Sequence, residues 1–160
     1  MGERSALEIC DRSSGPVIIS HSNPNGMWAH PRNVSDQLIK ACADTGGVLG
    51  LNGIGIFLGN NDSSIENFVH HIDYVVQLVG PTHVGLGLDY VFDRQELDDW
   101  LLNNKDSFPP DHGYEEAINM IEPENISEIA EALSSRGYSR ESVNAIMGNN
   151  FARLANQIWQ

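Results

Sequence analysis

The chain has 160 residues, of which 41% are apolar, 19% charged and 8% aromatic. That composition suits one globular domain with one core, and no run approaches the roughly 20 apolar residues of a membrane-spanning helix. Lys+Arg 9 against Asp+Glu 22 gives a formal charge of -13, which repels phosphate backbones and anionic headgroups, so neither nucleic acid nor membrane is expected as a partner.

The start, Met1-Gly-Glu-Arg-Ser5, lacks the basic-then-apolar pattern of a secretion signal, and a cytoplasmic location is expected. Cys10 and Cys42 sit in separate segments with no CxxC, which indicates neither a disulfide framework nor a cysteine zinc knuckle. Pro16-Val-Ile-Ile-Ser20 is a short β-branched run that reads as a buried strand near 16–21. After an irregular Asn-, Pro- and Gly-rich stretch, residues 34–45 read as a helix with Leu38, Ile39 and Cys42 on one face and Gly46-Gly47 as its stop. A second strand near 47–52 runs into the glycine-rich loop Asn52-Gly-Ile-Gly-Ile-Phe-Leu-Gly59. Residues 64–79 form a second helix with Ile65, Phe68, Val69, Ile72, Val75, Val76 and Val79 on one face, ended by Gly80-Pro81. A third strand is expected near 83–89. The remainder reads as helical: a short helix at 97–102, an exposed loop at Phe108-Pro-Pro-Asp111, then helices at 126–136, 139–147 and 150–159. Strands alternating with helices through short turns imply parallel strands in a single α/β domain over 1–160.

In parallel α/β folds functional side chains gather at the carboxyl ends of the strands. Here those ends carry Ser20-His21-Ser22-Asn23, Asn52-Gly53 and Asp89-Tyr90. A neutral imidazole at His21 suits a metal ligand or a general base, though spacing alone favours a hydrogen-bonded core histidine. Asp89 ends an apolar run, where a carboxylate calls for a metal, a cation or a proton. Arg32, in His30-Pro31-Arg32-Asn33, suits bidentate recognition of a carboxylate or phosphate, or a structural ion pair. His70-His71 and His71-Ile-Asp73 lie within a helix, where residues one or two apart diverge and do not share a metal. His83 falls at the amino end of a strand, away from the tips, and His112 is expected in solvent. Asn33, Asn61 and Asn125 match the glycosylation sequon, and Asn33 and Asn61 serve more naturally as turn or cap residues.

Several of these segments occur together in a known order. Gly2-Glu-Arg-Ser-Ala-Leu7, Pro16-Val-Ile-Ile-Ser-His-Ser-Asn23, His30-Pro-Arg-Asn33, Gly46-Gly-Val48, Asn52-Gly-Ile-Gly55, Phe57-Leu-Gly59 and His83-Val-Gly-Leu-Gly-Leu-Asp89 are followed by Arg136-Gly-Tyr-Ser139 and Gly148-Asn149. Together they resemble the renal (membrane) dipeptidase family, the M19 metallopeptidases. The resemblance implies a (β/α)8 TIM-like barrel with two zinc ions at the carboxyl end of its strands. This chain would supply the carboxyl-terminal part: three parallel strands, intervening helices and a helical tail. It further implies hydrolysis of dipeptides by a metal-bound water. His21 is then a ligand of the second metal, Arg32 the holder of the substrate carboxylate, and Asp89 the group that engages the substrate amine and shuttles a proton.

The departures are as specific. The family's first metal pair, a His-x-Asp on its first strand, has no counterpart at the corresponding place, and the bridging glutamate belongs to a strand before this region. The other second-metal histidine would fall immediately before Met1. The expectation is therefore an incomplete, inactive piece of a zinc dipeptidase. Its alternatives are a non-catalytic remnant or a split half that needs a complementing amino-terminal chain, and a small α/β carboxylate-binding module. A half barrel with open sheet edges also invites association with a second copy.

Overall fold

The apolar runs fold as β1 (Ile18–Ser22), β2 (Val48–Leu51) and β3 (Val84–Leu86), which form one parallel sheet in the order β1-β2-β3. The computed structural model describes residues 2–114 and 117–159, and Met1 lies outside them. The third strand is shorter than the run 83–89 suggests. Gly87 N–H still donates to Leu51 O at 2.9 Å. Two residues later Asp89 takes a φ of +59°, so the end of the Gly-Leu-Gly-Leu-Asp run is a strand tip rather than strand.

The helices are α1 (Glu3–Arg12), α2 (Asp36–Asp44), α3 (Gly55–Leu58), α4 (Ile65–Val79), α5 (Arg94–Asn103), α6 (Ile126–Ser135), α7 (Arg140–Asn144) and α8 (Asn150–Ile158), with a π turn at Ala145–Asn149 joining the last two. Local chemistry sets most of their ends. Ser35 Oγ accepts from Leu38 N–H and Ser64 Oγ from Asn67 N–H, both at 3.2 Å, as N-caps do. Gly46 and Gly80 stand just past α2 and α4 with φ of +80° and +86°, a conformation side chains resist.

Two helices correct the sequence reading. α1 has no place among the expected elements; Ala6, Leu7 and Cys10 on one of its faces pack with Leu38 and Cys42 of α2. α3 forms inside the expected glycine-rich loop, and all four of its residues are buried. Ile56 and Phe57 join a satellite cluster with Ile54, Leu101, Ile118 and Met120, so burial outweighs the weak helix propensity of glycine there.

The main core lies between the sheet and α2, α4 and α6. Leu49, Leu51 and Val84 of the strands pack with Ile39, Phe68, Val69, Ile72, Val75, Ile129 and Leu133. The satellite cluster covers the strand tips instead, with Tyr90, Phe108 and Tyr114 packed on its margin. One irregularity shapes that end. Ile19 pairs with Leu49 and Ser22 with Leu51, so β1 spends one residue more than β2 over the same interval, a bulge. The Ser20 carbonyl then sits over Gly50 and Gly87, where added Cβ atoms would lie 2.2 and 2.0 Å from its oxygen. Those glycines are required by close approach.

Candidate functional site at the strand tips

Because the strands are parallel, His21, Asn52 and Asp89 all fall at one end of the sheet. His21 is exposed near the end of β1, with Nδ1 2.8 Å from Ser20 Oγ. It lines a groove of about 800 Å³ together with Glu3 and Ile9 of α1, Ile18, His30 and Arg32. The structure thus brings His21 and Arg32 to one concavity. Asp89 does not line it.

Arg32 is held by the loop that leaves β1. Val34 N–H donates to Asn23 O at 2.9 Å, Asn25 N–H to Val34 O at 2.8 Å, and Ser22 Oγ to Arg32 O at 2.8 Å. The guanidinium lies 5.6 Å from the centre of the Phe57 ring, a cation–π contact. His30, two residues earlier, is the hydrogen-bonded core histidine of this region. Its Nδ1 accepts from Arg32 N–H at 3.1 Å, which leaves Nε2 to donate to His112 O at 3.1 Å. Burial lowers its pKa most; the His112 bond opposes this, and the charges of His112 and Arg32 add to it. The ring is therefore neutral and fixed in one tautomer, and it shapes the Arg32 backbone.

Asp89 departs from the expectation of a crowded carboxylate. It is exposed, and its Oδ2 accepts from Asn52 Nδ2 at 3.1 Å, so water and an amide donor already solvate it and neither metal nor proton is required. The backbone before it is tied down by Gly53 N–H donating to Leu88 O at 3.1 Å.

Tyr114 packs beside the loop that carries Arg32. Its ring packs against His30, Phe57 and Phe108 with centroids 6.3, 6.4 and 5.1 Å away. Burial, above all, raises its phenol pKa; Arg32 draws it down and Asp89 pushes it up. Nothing in the sequence marks Tyr114, a single tyrosine in a loop distant from every strand. His112, expected in solvent, is half-buried, with its ring 5.8 Å from that of His30. The Phe108 loop is likewise not simply exposed, since the Phe108 ring packs at a tilt against that of Trp100 with centroids 4.6 Å apart.

The other histidines lie elsewhere. His71 is buried with Nε2 3.0 Å from Leu58 O, Asp73 faces Arg136 and Tyr138, and His83 Nδ1 lies 2.8 Å from Gly47 O at the opposite end of the sheet.

The sequence model of the membrane dipeptidase family, peptidase family M19, matches residues 1–101. The chain belongs to this family. A dipeptidase of Claviceps purpurea, tcpJ, is 28% identical over 161 residues, covering 99% of this chain and 33% of that protein. A Klebsiella pneumoniae protein, described only by its place in the pqqA 5' region, is 28% identical over all of this chain and 53% of its own length. Among solved structures, an amidohydrolase from Pseudomonas aeruginosa superposes with a TM-score of 0.79 at 29% identity, over 97% of this chain and 49% of that one. The chain therefore spans about half the length, or less, of the relatives it matches.

Among the described residues no three His, Cys, Asp or Glu side chains gather closely enough to hold a metal ion. His21 is a single donor where zinc takes three or four, so these residues do not by themselves fit a zinc site. Among the described residues no helix is long and apolar enough to cross a membrane.

Proposed function

We propose that this chain carries the substrate-holding side of a dipeptidase site. Arg32 binds the free carboxylate of a dipeptide, Asp89 engages its free ammonium group and takes part in proton transfer, and His21 contributes one ligand to a metal centre. The observation that carries this reading is the placing of His21 and Arg32 on one groove, with Asp89 at the same end of the parallel sheet. A dipeptide is a zwitterion with its two charges at its two ends, and a site with a cation on one side and an anion on the other complements it. Selection for both free ends favours a dipeptide over a longer chain. The dipeptidase from Claviceps purpurea is a relative along nearly all of this chain.

The same reading takes the domain as the carboxyl-terminal part of a (β/α)8 barrel. Three parallel strands, the helices packed on them and the half-length superposition support it. Two zinc ions in such a barrel would draw their other ligands from groups this chain does not supply. The 160 residues alone are then inactive, and a complementing amino-terminal half or a second copy would have to complete them.

The shortage of metal donors favours a second reading, a module that binds carboxylates without chemistry. Titrating the chain with alanyl-alanine and with its carboxyl-terminal amide, followed by NMR, tests the shared part. The dipeptide should bind at least about tenfold more tightly, and Arg32→Ala should erase the difference. Equal affinity for the two would sink the carboxylate role. Adding zinc and an amino-terminal half separates the readings, because only the dipeptidase gains hydrolysis.

A further inference from the structure

A buried amide lies behind Asp89. Asn52 follows β2 directly and is 1% exposed, yet both ends of its carboxamide are committed. Its Oδ1 accepts from Ile54 N–H at 2.8 Å, so the amide can present only Nδ2 to Asp89, and it does so at 3.1 Å from Oδ2. Its own backbone is clamped by Asn23, whose Oδ1 accepts from Asn52 N–H at 3.2 Å and whose Nδ2 donates to Asn52 O at 3.0 Å. Asn23 is fully buried. A rigid chain of amides thus runs from the end of β1 through the end of β2 to the carboxylate at the end of β3.

We infer that Asn52 is a positioning residue that aims the Asp89 carboxylate at the substrate ammonium group. Asp89 needs such a guide. It is exposed, so no packing fixes its carboxylate, and its left-handed backbone persists only because the surroundings hold it. The Asn52 amide takes Oδ2 out of rotation and leaves Oδ1 for the ligand. An amide is the suitable group: a carboxylate at position 52 would repel Asp89, and a lysine would neutralise it and compete with the substrate amine. The inference rests on the role proposed for Asp89.

The experiment measures, on the 160-residue chain, the ratio of affinities for alanyl-alanine and for propionyl-alanine, which lacks only the amino group. Wild type should prefer the dipeptide by about tenfold. Asn52→Asp keeps an oxygen for Ile54 N–H and leaves the Asn23 clamp on the backbone intact, so it should fold; it should bring the ratio to about one. Asn52→Leu, which removes the donor without adding charge, should lower the ratio in the same direction, with propionyl-alanine binding unchanged. In an Asp89→Asn background neither change at 52 should move the ratio further. A wild type that binds neither ligand, or both equally, overturns the role of Asp89 and this inference with it. A wild-type preference that Asp89→Asn abolishes but Asn52→Asp and Asn52→Leu both retain overturns the inference alone. Equal weakening for both ligands in the position-52 variants would show a merely structural amide, which also overturns it.

Discussion

Asp73 and Arg136, 63 positions apart in the chain, meet with Arg136 Nη1 2.6 Å from Asp73 Oδ2, while Tyr138 donates to the other oxygen, Oδ1, at 2.7 Å. The carboxylate of α4 thereby fastens the turn after α6, the Arg136-Gly-Tyr-Ser139 segment. Arg136 keeps 30% of its side chain in water, so the ion pair itself is worth less than a fully buried one. Asp73→Ala should cost about 2 kcal/mol, most of it from the two charge-assisted hydrogen bonds. Urea unfolding of the double-mutant cycle with Arg136→Ala should show coupling between the two sites.

Tyr138 extends that contact to alkaline pH. Burial first, and then the bond to Asp73, raise its pKa well above the ordinary phenol value. A group whose pKa is raised on folding stabilises below its unfolded value and loses that stabilisation as pH rises toward the folded one. Stability should therefore fall above about pH 10, and the decline should be shallower in Tyr138→Phe.

His71 sets the corresponding acid limit. It is 1% exposed, its Nε2 lies 3.0 Å from Leu58 O, and its Nδ1 has no partner among the described residues. Burial lowers its pKa, the Leu58 bond opposes this, and His70 adds to the lowering. Below about pH 6.5 the unfolded chain takes up a proton that the folded one refuses, so stability is lost as pH falls from there. The buried His30 acts in the same direction. His71→Gln keeps a donor for Leu58 O and cannot titrate. Its urea midpoint should change less between pH 7.5 and 5.5 than that of wild type.

The cysteines should be silent to thiol reagents. Burial pushes the Cys42 thiol up to about 11, with nearby Cys10 adding to the shift and a backbone bond opposing it. Cys10 is also raised, again chiefly by burial. At pH 8 an aromatic disulfide reagent should label neither thiol rapidly in the folded chain, and both in denaturant. Rapid release from the native protein would mean that α1 does not stay docked over α2.

Gly50 and Gly87 test the bulge in β1. A Cβ at either position meets the Ser20 carbonyl oxygen, a backbone atom that cannot swing aside as a side chain tip can. Gly50→Ala and Gly87→Ala should each cost about 3 kcal/mol or more, whereas Gly2→Ala, with open space around it, should be neutral. A thermal melt of the three variants distinguishes these outcomes.

The amino-acid sequence by itself determined the order of the three strands and of the two long helices between them, because period, caps and glycine stops are local properties of neighbouring residues. β1, β2, α2 and α4 stand within two residues of where their patterns put them. It also determined that His21 and Asp89 share one end of the sheet, since parallel strands leave no other choice. Only the tertiary structure decided what surrounds them. α3 forms because Ile56 and Phe57 are buried with Leu101, Ile118 and Met120, 44 to 64 positions away, which no local propensity records. The same long-range packing sets the Tyr114 ring against His30 and Phe57 and turns the Asn52 amide toward Asp89. The strand pattern places a residue at a tip; its aim depends on hydrogen-bond partners the chain meets only after folding.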